Sequence, residues 1–357
     1  MNIIEHDRNS VINVFIPTRI SSHSYLKLLY GNLEKKGVKC DDFLKIGDIK
    51  NIFRNDIIHL HWIEFYMRSA RGSVFTYIKF ACYLILLIVI KYILRKRIVV
   101  TLHNLKPHEM LYPRIEHLGF KFSLNIADAL IAHNEWSKKS ASKIYKIDDE
   151  KIYIVPIGNF IGYYPNNINR TEAREILDIP IDAFVILYFG LIRKYKGLDF
   201  LLSAIEDLSD HNIWILICGK PDDEAIKDNL LNYRENNKNI ILNMNYVSDD
   251  SIQVYMNAAD VGILPYNEIT TSAVLLLFAS FGKVVIASDL EPIKETIGDL
   301  AIYYNSDDVE DLKNKILESK KIDLNEISES IFKKACEYKW DDIANSTYNV
   351  YMEVINK

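Results

Sequence analysis

Short apolar runs without polar alternation recur along the chain. They fall at 11–17, 56–62, 97–103, 129–133 and 152–156 in the first half. They resume at 184–189, 213–218, 240–246, 261–264, 284–287 and 301–304. Such runs suit strands of a parallel sheet covered on both faces. Between them apolar positions recur at helical spacing, at 25–35, 109–125, 135–145, 250–259, 273–281, 309–319 and 340–355. Strand and helix alternate in two consecutive series, which predicts an α/β protein of two doubly wound, Rossmann-like domains. The segment from Gly158 to Glu172, containing Pro165-Asn166-Asn167, is polar and turn-rich and is the predicted linker. The expected boundaries are 1–163 and 164–339.

One apolar stretch stands apart, Phe75 to Val100. Its core, Phe80 to Ile90, is flanked by Lys79 and Lys91, and Arg68, Arg71, Arg95, Lys96 and Arg97 surround it. Read between those lysines it is too short for a bilayer span, which takes about 18 or more apolar residues. Apolar residues ringed by cations suit a helix lying on an anionic membrane surface, with one face packed on the sheet.

Composition narrows the class. The chain has 357 residues, 49% of them hydrophobic and 25% charged, and a net charge of -5, which gives no reason to expect nucleic acid as a partner. The four cysteines, Cys40, Cys82, Cys218 and Cys336, form no CxxC pair and suggest neither a zinc site nor a disulfide framework. Cys82 and Cys218 lie in apolar runs and read as small core residues. The polar N-terminus reads as no signal peptide, and a cytosolic, reducing compartment is expected.

In doubly wound sheets ligands bind at the carboxyl ends of strands. The residues directly after the predicted strands are Trp62 and Glu64, His103-Asn104, His133-Asn134 and Gly158-Asn159 in the first half. In the second they are Gly190 to Lys196, Gly219-Lys220, Val247-Ser248 and Pro265 to Ser272. No glycine-rich dinucleotide or Walker-type loop follows any strand, so phosphate binding must use side-chain cations and helix N-termini. Arg193-Lys194-Tyr195-Lys196-Gly197 lies between a strand and a helix and supplies the cations. Thr270-Thr271-Ser272 ends a strand and opens a helix; a plain N-cap explains its hydroxyls equally well.

These blocks carry a resemblance. Arg193-x-x-Lys196-Gly197, then the Pro265-Tyr266 turn with Thr271-Ser272, then Phe281-Gly282-Lys283-Val284 are similar to the donor half of retaining nucleotide-sugar glycosyltransferases of GT-B fold, near glycosyltransferase family four. His59-Leu60-His61-Trp62, Thr101-Leu102-His103-Asn104-Leu105-Lys106-Pro107-His108-Glu109 and Val155-Pro156-Ile157-Gly158-Asn159-Phe160 resemble blocks of bacterial polysaccharide glycosyltransferases. The resemblance covers essentially the whole chain and rests on the order and spacing of the motifs.

The resemblance implies two domains facing across a cleft, with the helix 340–357 returning to the first. It implies an enzyme that moves a hexose from a nucleotide-diphosphate sugar to a saccharide acceptor, in cell-surface polysaccharide synthesis. The acceptor would be lipid-linked and the protein peripheral on the cytoplasmic face of the membrane. Transfer would be retaining, with no metal and no cofactor besides the donor substrate. Arg193, Lys196 and Gly190 would hold the diphosphate, Thr271 and Ser272 would touch it, and Val247 and Ser248 would lie near the base. His103 would sit beside the donor sugar, and His61 and Glu64 would face the acceptor or serve the fold; His133 reads as structural. The family's two spaced glutamates fall opposite Ile269 and Leu277, and Glu268 stands one position early and would substitute for the first. Ile157 stands where a related subgroup has histidine. These departures motivate a second expectation, a non-catalytic sugar-nucleotide or glycan-binding partner of another transferase, and a weaker third, a sugar-nucleotide epimerase.

Overall fold

The computed structural model describes residues 11–42, 50–69, 72–106, 111–206 and 212–357. It divides into two compact units, residues 1–158 with 339–357, and residues 159–338. The division falls a few residues before the expected one, between Gly158 and Asn159.

The first unit holds β1 (Asn13–Ile16), β2 (Lys39–Asp42), β3 (Ile57–His61), β4 (Arg97–Thr101), β5 (Ala129–Ala132) and β6 (Ile152–Ile154). They form one sheet in the order β2-β1-β3-β4-β5-β6. The second unit holds β7 (Phe184–Phe189), β8 (Ile213–Cys218), β9 (Ile240–Asn243), β10 (Val261–Leu264), β11 (Val284–Ser288) and β12 (Ile302–Tyr304), in the order β12-β11-β10-β7-β8-β9. Every ladder between these strands is parallel. In the second sheet the order reverses between β7 and β10, which opens a crevice at their carboxyl ends.

Successive side chains of a strand point to opposite faces. In the first sheet Ile58, Leu60, Ile98 and Val100 join a core with Phe120 and Leu124 of the helix Pro113–Ile126 and with Tyr83, Leu87 and Ile90. His59, His61 and Thr101 turn the other way, toward Tyr30 of the helix Ser24–Lys35 and Tyr351 of the C-terminal helix Trp340–Asn356. The first sheet therefore has an apolar face and a polar one, both buried. In the second sheet Ile186, Ile215, Ile217 and Ile263 pack on Leu201, Leu202 and Ile205 of the helix Leu198–Glu206 and on Leu312 and Ile316. Burying each such side chain contributes about 1.5–3 kcal/mol.

Several expectations need correction. β2 was not anticipated, because Lys-Cys-Asp-Asp is polar and half-exposed at a sheet edge, with one row of backbone groups unpaired. The helix expected over 109–125 is Pro113–Ile126, since proline favours the first helical position and disfavours helix in the residue before it; Pro107, His108 and Glu109 lie outside the described residues. The expected linker ends early, because Asn169 and Glu172 form a reciprocal capping box on the helix Arg170–Ile176. Cys82 is exposed, not in the core. The apolar stretch is longer than its lysines suggest: Ser73–Ile88 is α-helical, Val89–Ile93 continues it as a π-helical turn, and the 21 residues are long and apolar enough to cross a membrane. Thr76, Tyr83, Leu87 and Ile90 pack inward from this helix, whereas Val74, Tyr77, Ile78, Ile85 and Ile93 are exposed.

Candidate functional site

The second unit builds its site where β7, β8 and β10 end. Three glycines let the backbone cross there. Gly197 has φ +65°, and a Cβ on it would lie 1.7 Å from the Pro265 carbonyl oxygen. Gly219 has φ +153°, and a Cβ would lie 1.8 Å from the Gly190 carbonyl oxygen. Gly190 has φ +107°, and a Cβ would meet Lys196 Nζ at 3.2 Å and Val274 Cγ2 at 3.3 Å. Only glycine tolerates both the φ and the approach. The turn after β7 and the loop after β10 are tied directly, Asn267 N–H donating to the Tyr195 carbonyl at 2.9 Å.

Lys196 is thereby fixed beneath the loop. Its side chain is buried, with Nζ 5.8 Å from the centroid of the Tyr266 ring; Nζ and Val274 Cγ2, the latter in the first turn of the helix Ala273–Ser280, both flank Gly190. Among the described residues no carboxylate pairs with it. Burial, helped by the Arg193 charge, lowers its pKa to about 8. Arg193 is part-exposed; its Nε lies 3.6 Å from Asp222 Oδ2, an ion pair longer than a hydrogen bond. Ser272 caps the helix, its Oγ accepting from Leu275 N–H at 3.1 Å, and Thr271 beside it is half-buried. Burial raises the pKa of the Tyr195 phenol, and Glu268, in the same loop, is near enough to add a little to that rise.

Val247 is buried and Ser248 exposed after β9, where the Ser248 hydroxyl meets that of Ser251 at 2.8 Å. They stand at the sheet's edge, separated from β7 by β8. A cavity of about 760 Å³ beside β9 is lined by Lys220, Asp222, Asn243, Asn245 and Tyr255 among others, and by none of the residues expected to hold the donor. Asp222 is the link between it and Arg193.

The first unit gathers its polar groups differently. His103 follows β4 and is 9% exposed. Its Nε2 lies 2.9 Å from His61 Nδ1, and the Trp62 ring stacks on it at 4.2 Å and 13°. Trp62 has φ +46°, a left-handed conformation that costs a bulky residue energy and is kept at sites that need it. His61 is fully buried with both ring nitrogens engaged, and Glu64 is buried at the start of the helix Glu64–Met67. His133 donates from Nδ1 to the Val155 carbonyl at 2.8 Å, and its Nε2 is buried without a partner. Burial pushes the pKa of His59 to about 3 and of His133 to about 4, and lowers those of His61 and His103 well below the usual value, so all four rings are neutral near pH 7. Among the described residues no group of three or more His, Cys, Asp or Glu side chains is arranged to hold a metal ion.

A cationic turn and a capped helix meeting at the switch point of a doubly wound sheet is an arrangement for binding phosphate. Residues 169–335 match the family model described as glycosyl transferases group 1. The second unit belongs to that family. The GDP-mannose:glycolipid 4-beta-D-mannosyltransferase of Xanthomonas campestris pv. campestris is 27% identical over 236 residues, 66% of this chain and 61% of that protein. The chain thus matches about three fifths of that relative's length. Sucrose-phosphate synthase of Thermosynechococcus elongatus superposes with a TM-score of 0.74 at 14% identity, over 97% of this chain and 99% of that one. HepE of Anabaena, solved in complex with UDP and glucose, gives 0.73 at 14% identity, over 96% and 100%. The fold is GT-B, as expected.

Within this glycosyl transferases group 1 unit the structure brings together Gly190, Lys196, Thr271 and Ser272, places Arg193 beside Asp222, and leaves Val247 and Ser248 at the sheet edge. Sequence reasoning named Gly219 only as a residue after its strand and missed its role, a backbone crossing that no motif marks. It also missed Tyr30 and Tyr351, although the His-x-His of β3 put two polar side chains on one buried face and so required partners for them.

Proposed function

We propose that this chain is a glycosyltransferase that moves a hexose from a nucleotide-diphosphate sugar to a saccharide acceptor, the donor diphosphate being held by the second unit. The observation that carries this reading is Lys196. A buried ammonium without a carboxylate is costly unless an anion completes the site. The terminus of the helix Ala273–Ser280 beside it leaves backbone N–H groups for the same anion. Lys196 and Arg193 stabilise the negative charge that builds on the leaving diphosphate, a purely electrostatic role that a metal ion fills elsewhere. His103 offers substrate a neutral imidazole, and Glu268 takes the place of the first family glutamate.

The finer reading follows the mannosyl-transferring glycolipid relative and the exposed apolar helix. The acceptor is lipid-linked and the product serves cell-surface polysaccharide; retaining, metal-independent transfer rests on the motif resemblance alone and not on that relative, whose name describes β-mannosyl transfer. The chain works on the cytoplasmic face of a membrane, with the exposed face of Ser73–Ile93 against anionic lipid.

Thermal-shift measurement with nucleoside diphosphates and nucleotide sugars identifies the donor, since a ligand of the folded state raises stability by mass action. The identified donor is then incubated with membrane lipid extract. Sugar transfer to lipid supports the reading. Donor binding without transfer or hydrolysis supports the non-catalytic partner that Ile269 and Leu277 suggest, and conversion of the free nucleotide sugar would indicate an epimerase.

A further inference from the structure

The cationic turn and the cavity beside β9 meet at Asp222. Backbone fixes that meeting. Ile192 N–H donates to the Lys220 carbonyl at 3.0 Å, and Asp222 N–H donates to the Ile192 carbonyl at 3.0 Å. Ile192 and Pro221 thus form a parallel bridge beyond the ends of β7 and β8. The turn that carries Arg193 and the turn that carries Asp222 are zipped together. Arg193 Nε is buried with no hydrogen-bond partner among the described residues, and Asp222 Oδ2 lies 3.6 Å from it.

The cavity, about 760 Å³, has room for a small molecule. Asp222, Asp223 and Glu224 are the carboxylates that line it. Asp223 caps the helix Glu224–Asn236, accepting from Ile226 N–H at 2.8 Å, and Glu224 pairs with Lys227 at 2.8 Å. Asn243 is engaged as well, donating to the Tyr255 hydroxyl at 2.6 Å. Asp222 serves neither a cap nor a lysine pair, and its side chain is 35% exposed beside Arg193.

We propose that Asp222 is a donor-binding residue: its carboxylate accepts hydrogen bonds from the ribose hydroxyls of the nucleotide sugar whose diphosphate Arg193 and Lys196 hold.

This deepens the proposed function and rests on it. An ionised carboxylate can only accept hydrogen bonds. Beside a diphosphate site it repels the ligand, unless the ligand also brings hydrogens to it. An ionised phosphate brings none. A ribose does: it is bonded directly to the diphosphate, and its two adjacent hydroxyls suit the two oxygens of one carboxylate. A ligand that continues from Arg193 into the cavity meets Asp222 at that step, with the cavity left for the base.

Calorimetric titration of the full chain tests the assignment. The ligands are inorganic pyrophosphate, UDP, GDP, ADP and CDP, and the 2′,3′-dideoxy form of whichever nucleoside diphosphate binds tightest. Wild type should prefer the ribose form over the dideoxy form by about tenfold or more, as for hydrogen bonds to a charged group. Asp222→Ala should bind the two forms alike. It should bind pyrophosphate as tightly as wild type or more tightly, because a repelling charge is gone, and that binding shows the cationic turn intact in the variant. A wild type without ribose preference, or a preference that survives in Asp222→Ala, overturns the proposal and leaves the diphosphate site standing. Equal losses for pyrophosphate and both nucleoside diphosphates in Asp222→Ala would reduce Asp222 to a support for Arg193 and overturn it as well. If wild type binds neither pyrophosphate nor any of the nucleoside diphosphates, the proposed function falls together with this inference.

Discussion

At the carboxyl ends of β3 and β4 in the first unit, the polar side chains are neutral imidazoles bonded to one another. At the ends of β7 and β10 in the second, one buried ammonium stands among glycine backbone and a helix terminus. Both sites sit on six-stranded parallel sheets, yet they resolve the cost of burying polar groups in opposite ways. The first bonds most of its groups to one another and keeps them uncharged, so it holds no charge that needs a ligand. The second leaves a charge uncompensated and is incomplete until an anion arrives. A buried polar network supplies definite geometry, and an unpaired buried charge supplies affinity.

This contrast breaks first at low pH, where the largest effect is expected. A histidine whose folded pKa lies below its unfolded value contributes stability above about pH 6.5, and that stability is lost as pH falls toward the folded value. His59, His61, His103 and His133 all shift this way. Two pH units below the ordinary value each would cost about 2–3 kcal/mol. Hydrogen exchange between pH 7 and 4.5 should show the amides of β3 and β4 losing protection while those of β7 and β8 keep theirs. Equal loss in both units would dissolve the distinction.

Lys196→Met tests the second unit and should have the next largest effect. Removing the ammonium should lower kcat/KM by about 10²–10³-fold, as for other single charge-stabilising groups. It should also raise stability by up to about 3 kcal/mol, because a lysine pKa lowered from 10.5 to about 8 marks a cation held at a cost. Transfer kinetics and denaturant unfolding measure the two changes. Activity kept, or stability lost, would mean that Lys196 belongs to the fold and not to a ligand.

The same lysine gives a smaller effect at high pH. Its folded pKa lies below the unfolded value, so on its account stability rises between about pH 8 and 10.5, where the unfolded chain holds the extra proton. Donor affinity should run the other way, falling about tenfold per pH unit above 8 as the ammonium is lost. Calorimetric titration of the nucleoside diphosphate from pH 7 to 9.5 measures it, and Lys196→Arg, which stays charged, should flatten the curve.

How much of this was legible in the chain differs between the units for a physical reason. The second unit's strands are unbroken apolar runs, and its site is local, so Arg193-Lys194-Tyr195-Lys196-Gly197 could be read as a cationic turn before a helix. What stayed hidden there is backbone crossing: Gly219 matters because Gly190 passes 1.8 Å from where its Cβ would be. In the first unit His103 could be picked out after its strand. The partners of His59 and His61 could not, since Tyr30 and Tyr351 come from helices far apart in sequence and meet only on the polar face of the folded sheet. β2 hid because edge strands can be polar, and the apolar helix was read too short because Lys79 was taken as its end. In the structure Lys79 reaches the carbonyls of Phe65 and Arg68, at 2.7 and 2.5 Å, and the helix runs through.

That helix carries the smallest expected effect on the fold and the last test of the contrast. Its inward residues, Tyr83 and Leu87, belong to the first unit's apolar core, so the helix cannot cross a bilayer while that core stays assembled. Its outward residues lie beside Lys79, Lys91 and Arg95 and suit the plane of an anionic surface. Ile85 is 60% exposed, so Ile85→Glu should change stability by less than about 0.5 kcal/mol. Flotation with vesicles of anionic lipid should nevertheless recover less of the variant than of wild type, with little recovery of either on zwitterionic vesicles. Unchanged flotation would place the membrane contact elsewhere, and the first unit's apolar face would then be open for a different partner. Reduced flotation with nucleoside diphosphate binding intact would separate the two units as intended, lipid belonging to one and the phosphate anion to the other.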